Sequence, residues 1–193
     1  PHDQRKKFGS VGTPVLGFEI KIIDEKGKEC SPNVAGEIAG YGAGMMKEYY
    51  REVELTNSLI WTDNRGRSFI KSGDIGSLDE DGFLTILDRK KDMIISGGLN
   101  VFPVDIEEVV GKHPDINDVT VIGVPHEKWG ETCVALIIPR DGVEIDCDEI
   151  KNWSNEKLAK HQRLYKVESR EEFPRNALGK VLKRVLREPY WSQ

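Results

Sequence analysis

The patterning of the chain changes character near residue 89. Before it, short stretches of strand character are broken every few residues by Gly and Pro; after it, helix-spaced and strand-like apolar runs alternate. A chain built this way is expected to be α+β, with a β-rich piece over 1–88 and a compact α+β piece over 89–193. In the first piece, Phe18-Glu19-Ile20-Lys21-Ile22 alternates apolar and polar, as a half-buried strand does. Asp24-Glu25-Lys26-Gly27 and Asp79-Glu80-Asp81-Gly82 read as hairpin turns. Val34–Gly40, Ser68–Lys71 and Phe83–Leu87 read as further strands, and Glu52–Ser58 as a short helix.

In the second piece, Asp92–Ser96 reads as a strand that Gly97-Gly98 ends. Pro103 suits the first turn of a helix whose apolar face is Ile106, Val109 and Val110, with Pro114 as its stop. Asp118–Val124 and Cys133–Pro139 are apolar strands. Asp146–Lys160 reads as a helix burying Ile150, Trp153, Leu158 and the stem of Lys157. Leu164–Glu168 is a candidate strand, and Val181–Arg187 a last helix with Val181, Leu182, Val185 and Leu186 inward.

Composition excludes several classes. No apolar stretch in the 193 residues approaches the ~20 needed to cross a bilayer. The polar, basic start, Pro1-His2-Asp3-Gln4-Arg5-Lys6-Lys7, has no apolar region behind it, so no signal peptide is expected. Three widely spaced cysteines, Cys30, Cys133 and Cys147, suit reduced thiols of a cytoplasmic protein. Neither they nor the four scattered histidines have metal-site spacing, and no metal site is assigned. The segment 156–187 carries ten Lys/Arg against four Asp/Glu on a chain that is acidic overall. It lacks the motifs of nucleic-acid binders, so nucleic acid is not an expected partner.

Three clusters carry chemistry. Lys71-Ser72-Gly73-Asp74-Ile75-Gly76 puts a carboxylate beside Gly at a strand end, able to accept from a sugar diol; alone, it reads more readily as a turn aspartate bonding its own backbone. The stretch from Asp88-Arg89-Lys90-Lys91-Asp92 through Gly97-Gly98 to Glu107 holds an Arg with a planar fork of donors and a Gly pair that admits close approach. Pro174-Arg175-Asn176-Ala177-Leu178-Gly179-Lys180 puts a Lys after Gly, on an expected flexible hinge before a helix, where a point charge suits a phosphate or carboxylate.

In this order and spacing, the clusters resemble the adenylate-forming superfamily, whose members include acyl-CoA synthetases, peptide-synthetase adenylation domains and luciferase. Gly9-Ser10-Val11-Gly12-Thr13-Pro14, Gly36-Glu37-Ile38 and Gly44 to Tyr49-Tyr50 extend the likeness towards the start of the chain. The wording around Arg89–Asp92 and Asn100–Pro103 is most like fatty-acid–CoA ligases. The resemblance implies a small mobile C-terminal domain, a three-stranded sheet plus hairpin flanked by helices, following the last β-rich subdomain of a large N-terminal domain. It implies an ATP-dependent ligase that makes an acyl-adenylate and then a CoA thioester, with a medium- or long-chain fatty acid as substrate. The alternatives are an adenylation domain loading a carrier protein and a non-catalytic binding or regulatory module.

By the same resemblance, Asp74 and Arg89 bind the nucleotide ribose, Lys91 is the hinge, Lys180 is the catalytic lysine, and Gly98 lines the pantetheine channel. The implied cofactors are ATP, coenzyme A and Mg2+, the last bound mainly by the N-terminal domain. Two places depart from the family pattern. His161-Gln162-Arg163-Leu164 replaces an aromatic–Lys–x–Pro stretch before the last strand, and Asn100 stands where a phosphate-contacting cation is sometimes found. The family's phosphate-cradling loop and Tyr-Gly-x-Thr-Glu motif have no match here. With no initiator Met at Pro1, the expectation is a fragment inactive alone, able to self-associate through apolar surface on residues 1–88.

Overall fold

A computed structural model describes residues 7–192; all of the polar, basic start but Lys7, His2 included, lies outside the described residues. The chain divides into two compact units, Pro1–Lys91 and Asp92–Gln193. The composition break near residue 89 lies a few residues before this division.

The first unit is an antiparallel sheet. Its elements are β1 (Phe18–Ile23), β2 (Gly36–Gly42), α1 (Val53–Leu59), β3 (Ile60–Thr62), β4 (Ser68–Leu78) and β5 (Leu84–Arg89). β4 is the spine: β2 pairs along one edge, while β3 and then β5 pair along the other. Side chains alternate across the sheet, so Ile22, Ile38 and Leu84 pack on one face and Ile23, Ala39 and Phe69 on the other. The turns share one construction. The side-chain oxygen Oδ1 of Asp24, Asp63 and Asp79 accepts from backbone N–H groups two and four residues on, and the Gly at the fourth position takes positive φ. Asp63-Asn64-Arg65-Gly66 was not read as a turn from sequence, although its wording matches the other two.

Sequence ends the third strand at Lys71, but β4 runs on to Leu78. The register against β2 jumps between Ala39↔Lys71 and Glu37↔Ile75, so Ser72, Gly73 and Asp74 bulge from that ladder. Gly73 takes φ +76°, a conformation that Cβ disfavours. The chain stays paired with β5 through Asp74↔Arg89.

The second unit contains β6 (Ile94–Ser96), β7 (Leu99–Val101), α2 (Pro103–Val110), β8 (Ile116–His126), β9 (Gly130–Pro139), α3 (Cys147–Asn155), β10 (Leu164–Ser169) and α4 (Lys183–Trp191). β9 lies between β8, antiparallel, and β10, parallel; the β6–β7 hairpin joins through Ser96↔Gly130. β8 and β9 read as nearly unbroken apolar runs because both faces are covered. Val121, Cys133, Ala135 and Ile137 pack with Ile106 and Val110 of α2 and Ile150 of α3. Ile122, Val124, Val134 and Leu136 pack on the other face with Phe173, Leu186 and Tyr190. The architecture is α+β, as expected.

Several local expectations are corrected. α2 ends at Val110, before Pro114 is reached. α3 ends at Asn155, because Leu158 is carried to the core by a turn rather than by the helix. Lys157 is exposed, and its ammonium lies 3.7 Å over the Trp153 ring instead of running its stem into the core. α4 starts at Lys183 and continues to Trp191, which shifts its inward face to Leu186 and Tyr190 and leaves Leu182 and Val185 exposed. Despite its unusual lead-in, β10 pairs in parallel with β9, with a register shift between Leu164 and Lys166. Leu164 is buried, and its backbone N–H and C=O both bond the Asn155 side chain, at 2.7 and 3.0 Å.

Candidate functional site

In the first unit, the β4 bulge and the end of β5 bring Asp74 and Arg89 together. They are register partners, and Arg89 Nε donates to Asp74 Oδ1 at 2.8 Å. The Asp74 N–H is held by Ser72 Oγ at 3.0 Å, and the Arg89 N–H by Asp88 Oδ1 at 2.7 Å. Both side chains remain accessible, at 29% and 47% exposure, so the guanidinium fork is only partly used by its partner. The pair offers an acceptor and several donors side by side, an arrangement suited to neighbouring hydroxyl groups.

Lys90 belongs to the same corner of the first unit. Its N–H bonds Gly73 O at 2.9 Å, and its ammonium sits 2.8 Å from the buried Glu37 carboxylate. The signal that could have found this pair is an acid, Glu37, inside an apolar strand beside the buried Ile38 and Ala39. Lys91 follows in an exposed turn.

In the second unit, Lys180 is exposed on the turn between Phe173 and α4. This turn is not a loose hinge. Asn176 Oδ1 accepts from Leu178 N and Lys180 N at 3.0 and 2.9 Å, Gly179 takes φ +80°, and Leu182 N bonds Pro174 O. Arg175 clasps the turn by donating to Gly179 O at 2.6 Å, and it also bonds Asp118 on β8. α4 begins only three residues past Lys180. Among the described residues no acid pairs with the Lys180 ammonium, whereas Lys166, Arg170, Arg175, Lys183 and Arg187 each pair with an acid of the same unit. Those pairs account for much of the basic character of the segment 156–187.

Gly98 takes φ +81° at the tip of the β6–β7 hairpin, and a Cβ there would meet nothing within 4 Å. Backbone conformation alone therefore calls for glycine, and the space beside it is open. A Cβ on its neighbour Gly97 would come within 3.0 Å of Trp129. A groove of about 390 Å³, which sequence did not reveal, opens by this hairpin and is lined by Ser96, His126, Trp129, Lys160, Arg163 and Tyr165. His126 and Tyr165 meet edge to face at 5.3 Å.

Among the described residues, no group of three or more His, Cys, Asp or Glu is placed to hold a metal ion. No helix is long and apolar enough to cross a membrane.

Comparison with known proteins adds to this geometry. The AMP-binding enzyme C-terminal domain profile matches residues 105–180, and the AMP-binding enzyme profile matches residues 1–50. A 2-succinylbenzoate–CoA ligase of Geobacillus kaustophilus is 40% identical over 187 residues, 97% of this chain and 37% of the relative. A long-chain-fatty-acid–CoA ligase of Salmonella typhimurium is 37% identical over 188 residues, 97% of this chain and 32% of the relative. Among solved structures, ATP-bound MatB from Rhodopseudomonas palustris is similar at a TM-score of 0.85 and 37% identity, covering 94% of this chain and 36% of that one. The chain thus spans well under half the length of the curated relatives it matches.

Proposed function

Because the chain belongs to the family of AMP-binding, adenylate-forming enzymes, we propose that it is the C-terminal part of an ATP-dependent acyl-CoA ligase. In this reading residues 1–91 end the large domain and 92–193 form the mobile one. A carboxylate oxygen attacks the α-phosphorus of ATP, the bond to pyrophosphate breaks, and acyl-adenylate forms. The sulfur of CoA then attacks the acyl carbon, the bond to AMP breaks, and the thiol proton passes to solvent or a base.

The observation that carries the proposal is the Asp74–Arg89 pair, at 2.8 Å, with Arg89 two residues before Lys91. Asp74 accepts from the ribose hydroxyls while Arg89 donates to them with the part of its fork that Asp74 does not use. Lys91 is the hinge. Lys180 brings an unneutralised positive charge on a rigid turn to the α-phosphate and the substrate carboxylate, where negative charge gathers in the first step. Gly98 leaves room for pantetheine to reach the adenylate. The groove beside it, with aromatic faces and the cations Lys160 and Arg163, suits the phosphorylated remainder of CoA.

Likeness to the Salmonella ligase supports a medium- or long-chain fatty acid as the substrate. The Geobacillus relative supports 2-succinylbenzoate as the competing reading. The test is AMP release by the full-length protein that contains this chain, with ATP, CoA and each acid in turn. Turnover with fatty acids and not with 2-succinylbenzoate supports the assignment. Transfer only to a pantetheinylated carrier protein, with no use of free CoA, contradicts the CoA-ligase reading.

A further inference from the structure

We propose that Arg175, anchored on Asp118 of β8, is a positioning residue that fixes the direction in which Lys180 is held, a role that rests on the reading of Lys180 as the lysine of the first half-reaction.

Lys180 stands on a turn between two fixed points. Before it, Phe173 is buried with Ile122 and Val124 of β8 and Val134 and Leu136 of β9. After it, Lys183 pairs with Glu107 of α2 at 2.8 Å. Within the turn, the backbone is held on both sides of Lys180. Its N–H donates to Asn176 Oδ1 at 2.9 Å, and its carbonyl accepts from the Asn176 N–H at 2.9 Å. The peptide group joining Gly179 to Lys180 is planar, so holding both of its ends sets its orientation. One end is the N–H on Asn176. The other is Gly179 O, which accepts from Arg175 Nη1 at 2.6 Å.

Asn176 and Arg175 differ in what they hold. The bonds of Asn176 begin and end inside the turn, so they give it shape and no direction relative to the sheet. Arg175 reaches out of the turn: its Nη2 donates to the carboxylate of Asp118, 57 residues earlier in the chain. That carboxylate is itself fixed, because its Oδ1 accepts from the Val119 N–H at 2.9 Å. One planar guanidinium therefore ties the peptide group before Lys180 to β8, and a lysine at 175 would lack the fork that serves carbonyl and carboxylate together. The Arg175 and Asp118 side chains are 41% and 33% exposed. A pair this accessible adds little to stability, so its loss should turn the Lys180 turn without unfolding the unit.

The two half-reactions of the full-length protein that contains this chain test this, with Lys180→Ala as the reference. Arg175→Met is expected to lower ATP–pyrophosphate exchange roughly 10–100-fold, the scale of misplacing an acting group by about 1 Å. The loss should fall on kcat rather than on KM for ATP. Asp118→Ala, which leaves Arg175 in place but frees it from the sheet, should act in the same direction. Thioester formation from preformed acyl-adenylate and CoA should keep its rate in both variants. Because Arg175 acts through Lys180, adding Arg175→Met to Lys180→Ala should cost nothing further. A further loss in the double variant would give Arg175 a substrate contact of its own and overturn the positioning role. Equal loss of both half-reactions, the mark of a merely structural effect, would overturn it too. So would exchange that survives Arg175→Met while Lys180→Ala abolishes it, an outcome that leaves the reading of Lys180 standing. Exchange that survives Lys180→Ala itself overturns that reading, and this proposal with it.

Discussion

Arg89 Nε lies 2.8 Å from Asp74 Oδ1, and the two residues are direct partners in the β4–β5 ladder. The strands that build the sheet therefore also build the pair, with no loop left to position either side chain. The β4 bulge at Ser72–Asp74 frees the carboxylate from the β2 side, and β5 supplies the guanidinium on the other. Under the ribose-binding reading, Asp74→Asn keeps the shape and removes the charge. It is expected to raise KM for ATP by roughly 10–100-fold, the worth of one or two hydrogen bonds to a charged group. KM for CoA should not move. Arg89→Lys should act in the same direction, since an ammonium lacks the fork. An unchanged KM for ATP in both variants would rule out the ribose role.

The end of α4 is held by a carboxylate with a strongly displaced titration. Burial pushes Glu168 up, but hydrogen bonds from Lys166, Tyr190 and Arg170 outweigh it and bring the group down to about 2. A folded-state value below the unfolded one contributes stability that is complete above the unfolded value and is lost as pH falls towards the folded one. Unfolding free energy is therefore expected to decline between about pH 4.5 and 2. Glu168→Gln should flatten that decline and cost roughly 1–3 kcal/mol at neutral pH. Urea titrations at a series of pH values read both effects. A decline of equal slope in the variant would contradict the assignment.

The three thiols should differ in reactivity. Burial, helped by the Glu131 charge, pushes Cys133 up to about 12; partial burial also raises Cys30, but Cys30 and Cys147 are both partly accessible, whereas Cys133 is buried. The thiolate is the reacting species. Iodoacetamide on the folded chain at pH 8 should alkylate Cys30 and Cys147 and spare Cys133, as read by peptide mass spectrometry. Early labelling of Cys133 would show that the β9 core opens readily.

Phe8, Val11, Val15 and Leu16 are all well exposed in the first unit. A cluster of exposed large apolar residues marks a surface that is covered in an assembly. The 193-residue chain is expected to self-associate at high concentration, and Leu16→Glu with Phe8→Ser should weaken this. Sedimentation velocity distinguishes the outcomes. A chain monomeric throughout would remove the argument for a covering partner on this face.

How far the sequence could be read follows from which signals are local. β8 and β9 were legible because runs such as Val119–Val124 have few alternatives, and the start of α2 because Pro103 fixes it. β4 was cut short at Lys71 because Gly73 is a local stop signal, whereas its continuation depends on distant pairing with β5. α4 was misplaced because Val181, Leu182, Val185 and Leu186 fit helical spacing. Its actual ends are set by Glu107 on α2, Glu168 on β10 and Gly123 on β8. Asp74, Arg89 and Lys180 are singled out by the resemblance of their three clusters, in order and spacing, to one superfamily, since each cluster alone reads more readily as ordinary turn or surface chemistry. The Glu37–Lys90 pair and the groove at Trp129 did not stand out, because each joins residues far apart in the chain.

Under the proposed ligase reading, Lys180 serves the first half-reaction and not the second. The most direct test compares the two half-reactions in the full-length protein carrying Lys180→Ala. ATP–pyrophosphate exchange is expected to fall at least about 100-fold, the scale of losing one charge aimed at a transition state. Thioester formation from preformed acyl-adenylate and CoA should proceed at the rate of the unaltered protein. Equal loss of both half-reactions, or exchange that survives the substitution, would contradict it.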